Sequence, residues 1–283
     1  MKYILSIIFF YSVFSLSAQG FEFYADVMIN ASNAEHRTYA AEHFAELFDE
    51  ELQKENSFEA PFENLPWISI QYAEDRSFRT LSWQIDGGNG SYAYDGYIQQ
   101  PDLPALRFKG DQGVGSSKVD RVIKWKDWKG GIIYKILSIP SDIGVEYYLL
   151  SFNQLDQFTK QKSLEQVQWG KGEVILGAIE KFELPERSKK AKRITITYSA
   201  DSNASITYQT GAKQLVVDHL VGIPGRIPGQ GPTMAPDGSY IAYSLSSDGS
   251  WKYQDKLFDQ KFDAPPSGGI TSGGKDIFGR PKK

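Results

Sequence analysis

The feature that most constrains the fold is a series of short segments, rich in aromatic and β-branched residues, that begins at Trp67. Gly, Asp, Asn and Pro separate these segments, as turn residues separate the strands of an antiparallel β protein. Polar and apolar residues alternate unevenly within them, so the pattern does not assign faces to each strand. The predicted strands include residues 67–72, 78–85, 91–98, 132–139, 145–152 and 194–198.

One segment before Trp67 has a helical pattern instead. Between residues 34 and 54, apolar residues recur every three or four positions, and Asn30 and Ser32 precede the segment as candidate caps. This spacing predicts one amphipathic helix whose apolar stripe packs on a sheet. The predicted fold is therefore mainly β: an antiparallel sheet or sandwich, or an open barrel, with one N-terminal helix packed on it. The recurring apolar residues are Tyr39, Ala40, Phe44, Leu47, Phe48 and Leu52.

Four turn-forming dipeptides each precede a serine and an aromatic residue. Such dipeptides favour tight turns, so each predicts a hairpin that enters an aromatic strand. Residues 236–244 are similar to a β-propeller repeat, but a propeller repeats at a fixed period of about 40–50 residues and these turns are irregularly spaced. We therefore do not expect a propeller. The dipeptides are Asp75-Arg76, Asn89-Gly90, Asp237-Gly238 and Asp248-Gly249.

Two further segments are predicted to be surface connections. Residues 187–193 form a basic run, which indicates a solvated hairpin tip. Residues 222–231 are rich in glycine but lack the Lys-Ser/Thr of a phosphate-binding loop, and their prolines remove backbone donors. This segment is predicted to be a long surface loop.

The two ends of the chain predict export and a tail. Lys2 and a following apolar run, ending in small residues at positions 15–18, have the layout of a secretory signal cleaved after Ala18. The apolar run is too short for a transmembrane helix, and no later segment is apolar enough to span a membrane after cleavage. We expect a single domain over residues 19–262 and a disordered Gly/Pro/Ser-rich tail over 263–283. The chain has no cysteine and so forms no disulfides. For an exported chain of this kind, the expected location is periplasmic or extracellular.

Several motifs occur in an order that is familiar from other proteins. They are residues 77–83, 96–99, 128–136, 147–150, 162–167, 172–177, 198–201 and 217–220. In this order the chain resembles a family of uncharacterised secreted bacterial proteins with a signal peptide and a β-rich domain. The chain differs from that pattern near residues 222–231 and in its tail. The resemblance implies export and a β-rich fold, and it implies no activity.

Composition limits the functions that are compatible with this chain. The net charge is −4 and the charged residues are interspersed, which argues against a nucleic-acid partner. With three histidines and no cysteine, we expect neither a metal site nor a cofactor. A Gly-x-Ser-x-Gly nucleophile elbow does not occur. A glycosidase needs only two carboxylates close in space, which sequence does not reveal, so a hydrolase remains an alternative.

Three residues are candidates for binding. Trp125 and Trp128 could form an exposed stacking surface for sugars or peptides, although core packing is the alternative for both rings. His219 is the histidine best placed to act as a base in a β enzyme. The favoured function is a non-catalytic β module that binds a small ligand, a glycan or a protein partner. The alternatives are a carboxylate-dependent, glycosidase-like hydrolase of extracellular or envelope polymers, and a structural or assembly protein of the envelope.

Overall fold

The computed structural model describes residues 20–110, 119–141, 144–170, 172–185 and 189–258. It confirms the mainly β prediction: these residues form three antiparallel sheets and two helices. The predicted signal peptide, residues 1–18, and the predicted tail, residues 263–283, lie outside the described residues.

The two helices form one side of the molecule. Helix α1 covers residues 20–30 and was not expected, whereas α2, Ala34–Leu52, matches the predicted helix except at its last two residues. Asn33, rather than Asn30 or Ser32, caps α2, because its side-chain oxygen accepts a hydrogen bond from Glu35 N at 2.7 Å. The apolar stripe of α2 packs on a sheet, as predicted, except that Tyr39 is 60% exposed and lies outside the contact.

The strands follow the predicted segments closely, with bounds that differ by a few residues. The first sheet has the order β1-β2-β3-β4, the second β5-β9-β8-β7-β6 with β10 also paired to β8, and the third β11-β12-β13-β14. The strands are β1 Ser69–Tyr72, β2 Arg79–Gly88, β3 Ser91–Gln99, β4 Leu106–Gly110, β5 Ile123–Lys124, β6 Ile132–Ser141, β7 Gly144–Gln154, β8 Thr159–Gly170, β9 Glu173–Leu176, β10 Arg193–Ser199, β11 Ile206–Gln209, β12 Gln214–Ile223, β13 Thr233–Leu245 and β14 Trp251–Phe258.

Three apolar clusters show how these elements are layered. The first cluster joins both helices to one face of the first sheet, for example Phe44 and Phe48 to Trp83. The second cluster fills the space between the first and second sheets, and the third fills the space between the second and third sheets. The second sheet is therefore buried on both faces, and successive residues of its strands belong to different clusters.

A buried arginine fixes the chain that enters the first sheet. Arg79, at the start of β2, is fully buried and donates to Gln99 Oε1 at 2.9 Å. It also donates to the backbone oxygens of Ala60 at 2.8 Å and Ser57 at 2.6 Å. Burying a guanidinium is favourable only when its donors are paired, so these bonds hold residues 57–60 against the sheet.

Three of the four predicted hairpin turns are confirmed: the Asp75-Arg76, Asn89-Gly90 and Asp248-Gly249 dipeptides each lie between paired strands. The prediction for Asp237-Gly238 is wrong. These residues lie inside β13, where Pro236 pairs with Leu220 and Tyr240 with Asp218. Residues 237–239 are the extra residues of a β-bulge opposite His219. The turn dipeptide accommodates the bend of this bulge, and the strand continues beyond it.

The predicted hairpin tip at residues 187–193 is confirmed only in part, and residues 186–188 lie outside the described residues. Phe182 and Ala191 form an antiparallel bridge, and Lys189 between them is exposed. Ala191 and Arg193 are fully buried, and Arg193 begins β10 and forms an ion pair with Glu165 of β8 at 2.6 Å. The glycine-rich segment is a surface loop from residue 224 onward, as predicted, whereas Gly222 and Ile223 end β12. Gln230 fixes this loop by donating to Phe158 O at 2.8 Å and Ser199 Oγ at 2.9 Å.

Candidate functional site

The two candidate tryptophans lie in the core. Trp125 is 2% exposed and Trp128 is 0% exposed, and their rings stack on each other with centroids 5.3 Å apart. Phe108 contacts both rings edge-on. The Trp128 indole N–H donates to Glu165 Oε2 at 2.9 Å, and Trp125 Nε1 donates to Leu106 O at 2.8 Å. The structure therefore places both rings in the packing role, with no stacking face open to a ligand.

The candidate histidine lies at the edge of the β13 bulge. His219 Nδ1 is 2.9 Å from Asp237 Oδ2, while the backbone N–H and hydroxyl of Ser239 donate to Asp237 Oδ1. The Ser239 bonds, together with His219, lower the pKa of Asp237 to about 2. A serine nucleophile would have to contact the histidine, whereas Ser239 contacts the carboxylate. The arrangement stabilises the bulge and does not form a catalytic triad.

A cleft of about 780 Å³ lies elsewhere, between the second and third sheets. Its walls are the end of the β6–β7 hairpin, the second half of β8, residues 179–181 and the β13–β14 turn. His219 does not line this cleft. Its volume is in the range that holds a small ligand in other proteins.

A buried ion pair forms part of the cleft. The side chain of Lys181 is 9% exposed and donates to Glu146 Oε1, whose side chain is 11% exposed. Backbone bonds fix Lys181: its N–H donates to Ala191 O at 2.9 Å, and its carbonyl accepts from Trp251 N at 2.7 Å. The ammonium is thereby held at the cleft, and its charge is compensated by the carboxylate.

Tyr148 bonds the other carboxylate oxygen of Glu146. Its hydroxyl donates to Glu146 Oε2 at 2.6 Å and accepts from Trp251 Nε1 at 3.2 Å. Burial, and then the bond to Glu146, raise the pKa of Tyr148 far above its usual value, so the hydroxyl stays protonated. Both oxygens of Glu146 are therefore engaged by protein donors.

Two glutamines of β8 add neutral polar groups to the cleft. Gln166 and Gln168 are two residues apart, so both point to the face that the third sheet covers. Val167 and Trp169 point to the opposite face, although both also line the cleft. Gln166 is 3% exposed, and its side-chain oxygen accepts from Gln168 Nε2 at 3.4 Å. Within the described part of the chain, the amide nitrogen of Gln166 has no hydrogen-bond partner. The Gln166 amide nitrogen thus lines the cleft without a protein partner and offers a hydrogen-bond donor to a ligand.

The β13–β14 turn forms a rigid rim. Asp248 accepts hydrogen bonds from the Ser246 hydroxyl and from the N–H and hydroxyl of Ser250, and these bonds hold its pKa well below the usual range. Gly249 has a φ of +73°, a left-handed conformation that favours glycine, and an added Cβ would lie 3.6 Å from Lys181 Nζ. The rim is therefore fixed close to the ion pair.

A second, smaller cleft of about 460 Å³ lies between α2 and the first sheet. Its polar centre is Asp95, which accepts from Arg107 Nε at 2.9 Å and from Arg107 Nη2 at 2.5 Å. The Gly96 N–H is a third donor to Asp95. The polar atoms at the centre of this second cleft are therefore already bonded to protein groups. It therefore offers a ligand less than the first cleft does.

Among the described residues, no group of three or more His, Asp or Glu side chains is arranged to hold a metal ion. In the same part of the chain, neither helix has the length and apolar character that crossing a membrane requires. No family model, curated protein or solved structure matches this chain.

Sequence analysis did not single out Glu146, Lys181, Gln166 or Gln168. The signal for Gln166 was present, because it follows Leu164 by two residues and so is a polar residue on an apolar face. A face assignment for β8 was needed to use that signal. Lys181 carried no such signal, because its position at the cleft depends on backbone bonds to residues far away in the sequence.

Proposed function

We propose that this chain is a non-catalytic β module that binds a small ligand in the cleft between its second and third sheets. The observation that carries the proposal is the amide of Gln166, which is nearly buried, lines the cleft and leaves N–H groups without a protein partner. This nitrogen is not one of the fully buried unpaired atoms among the described residues, so it is accessible from the cleft, where the acceptor of a ligand would replace water.

A binding role is favoured over hydrolysis because the carboxylates of the cleft are bonded to protein groups. A glycosidase uses one carboxyl group as an acid and a second as a base or nucleophile, and both must be free to contact the substrate. Glu146 is held by Lys181 and Tyr148, and Asp248 is held by its own turn. These bonds position the acids as structural groups of the cleft.

Export completes the proposal. The apolar run before residue 19 supports secretion, and we place the binding role outside the cytoplasm on that ground. Mass spectrometry of protein from its native host tests this part: removal of about the first 18 residues supports it, in line with the usual signal layout. Recovery of intact Met1 on cytosolic protein would contradict it.

The binding role is tested by a thermal-shift screen of the purified protein against sugars, peptides and small metabolites. A ligand at about 100 times its Kd stabilises a protein by about 2.7 kcal/mol, which corresponds to a rise in Tm of roughly 5–10 °C at this size. The shift should disappear in Gln166→Met, which keeps the side-chain length and removes the amide.

Gln71→Met is the matched control, because Gln71 is a half-buried strand glutamine that contacts Ser69 and does not line the cleft. Equal ligand shifts in both variants would refute the assignment of the cleft. Turnover of a polymer that Glu146→Gln abolishes would refute the non-catalytic role and favour the hydrolase.

A further inference from the structure

The unused hydrogen-bonding groups of the cleft form a matched set. Gln166 and Gln168 each carry a donor NH₂ and an acceptor oxygen, and one bond joins the two amides at 3.4 Å. That bond uses the oxygen of Gln166 and the nitrogen of Gln168. It leaves the nitrogen of Gln166 as a donor and the oxygen of Gln168 as an acceptor, without partners in the described part of the chain. Reversing both amides exchanges the two roles and leaves the same pair of groups.

The charges around this pair are balanced. Lys181 is paired with Glu146, and Asp248 is paired with Lys190 at 3.2 Å. An anionic ligand would bring a further negative charge beside the two acids, and a cationic ligand would meet Lys181. A neutral ligand avoids both costs, which are large where the groups are shielded from water.

Part of the cleft wall is apolar. Val145 and Ile179 both line the cleft, and each is 46% exposed, so their side chains offer a contact for a small apolar group. Burying a small apolar group on such a surface favours binding. The cleft thus combines one donor, one acceptor and an apolar contact.

We propose that the ligand of this cleft is a neutral molecule that carries a secondary amide next to an apolar group, with its C=O on one glutamine and its N–H on the other. This inference rests on the proposed binding function and names the ligand class for the same site. Two sources supply this chemistry: the acetamido group of an N-acetylated sugar, and the backbone of a short peptide.

Four probes distinguish these sources and test the class itself. Diacetylchitobiose is compared with cellobiose, which has the same linkage and hydroxyls in place of the acetamido groups. Acetyl-dialanine methylamide is compared with the analogue in which all three amides are replaced by esters, which removes every N–H and keeps the carbonyl oxygens. Binding is measured by isothermal titration calorimetry on the full chain.

At least one amide probe should bind about ten-fold or more tightly than its partner, because the partner leaves a glutamine group of the cleft without its hydrogen bond. That binding should weaken by a similar factor in Gln166→Met and in Gln168→Met, and remain unchanged in Gln71→Met. Two glutamine variants are used so that a folding defect in one does not decide the result. The probe that binds identifies the source.

Equal binding of each amide probe and its amide-free partner would overturn the inference. So would failure of both amide probes when another ligand from the thermal-shift screen binds in a Gln166-dependent way, and that result would leave the proposed function standing. If no ligand in the screen or among the probes binds in a Gln166-dependent way, both the inference and the proposed function fail.

Discussion

The buried ion pair between β8 and β10 gives the sharpest test of how this fold is stabilised. Glu165 and Arg193 face each other in the strand register, and both are 0% exposed. Arg193 Nε donates to Glu165 Oε1 at 2.6 Å, while Trp128 Nε1 donates to Glu165 Oε2 at 2.9 Å. The carboxylate thus compensates a buried cation and accepts from a buried indole.

Glu165→Gln removes the charge and keeps an acceptor for Trp128. Breaking a buried ion pair from one side costs about 3–5 kcal/mol, a large fraction of the 5–15 kcal/mol that typically stabilises a domain. Arg193→Met breaks the pair from the other side, and we expect a similar loss. The double variant removes both charges, so it should be more stable than either single variant.

The assay is equilibrium unfolding in urea, analysed as a double-mutant cycle. The control is Glu173→Gln, which breaks an exposed ion pair with Lys124 at 2.9 Å and should leave the unfolding midpoint nearly unchanged. The reasoning is refuted if the single variants at Glu165 and Arg193 lose no more stability than the control. It is also refuted if the double variant loses the sum of the two single losses.

Three further predictions concern the sheets. Arg79→Met should lower the free energy of unfolding in urea by more than about 3 kcal/mol, because several charged hydrogen bonds to residues 57–60 and Gln99 are lost together. A decrease below about 1 kcal/mol would contradict this prediction. The pKa of Asp237 is lowered from 3.8 to about 2, so the stability that its carboxylate contributes is complete above pH 3.8 and is lost as the pH falls through 2. In Asp237→Asn the urea midpoint should therefore fall less between pH 3.8 and 2, and an identical pH profile in both proteins would contradict this prediction. Gly110→Ala should destabilise strongly because the new Cβ would lie 1.9 Å from Lys129 O, whereas Gly170→Ala, with nothing within 4 Å, should not, and equal melting temperatures for the two would refute the close approach.

The strands and the main helix could be predicted from the sequence because their signals are local. Residues 91–98, for example, are predicted as a strand by their aromatic content and the preceding Asn-Gly turn, and β3 covers Ser91–Gln99. Helix α2 is predicted by its apolar spacing. Both predictions depend only on neighbours in the chain.

The errors came from positions whose environment is set by distant residues. The Asp237-Gly238 dipeptide is a local turn signal, but pairing with β12 on both sides keeps the strand continuous through a bulge. Arg193 belongs to a basic run, which usually indicates solvent, but its register opposite Glu165 places it in the core. The cleft itself combines residues 140–146, 166–168, 179–181 and 245–249, which only the sheet packing brings together.

The alternation along β8 links the buried ion pair to the candidate site. Glu165 and Gln166 are consecutive, so they point to opposite faces of the second sheet: Glu165 meets Trp128 on the side of the first sheet, and Gln166 lines the cleft on the side of the third. A slip of β8 by one residue would exchange the two faces and place Gln166 against Trp128. Arg193 opposes that slip, because its guanidinium would lose the carboxylate opposite it while still buried. Because a buried ion pair adds little net stability compared with apolar packing, we infer that this pair acts mainly by selecting the register that forms the cleft.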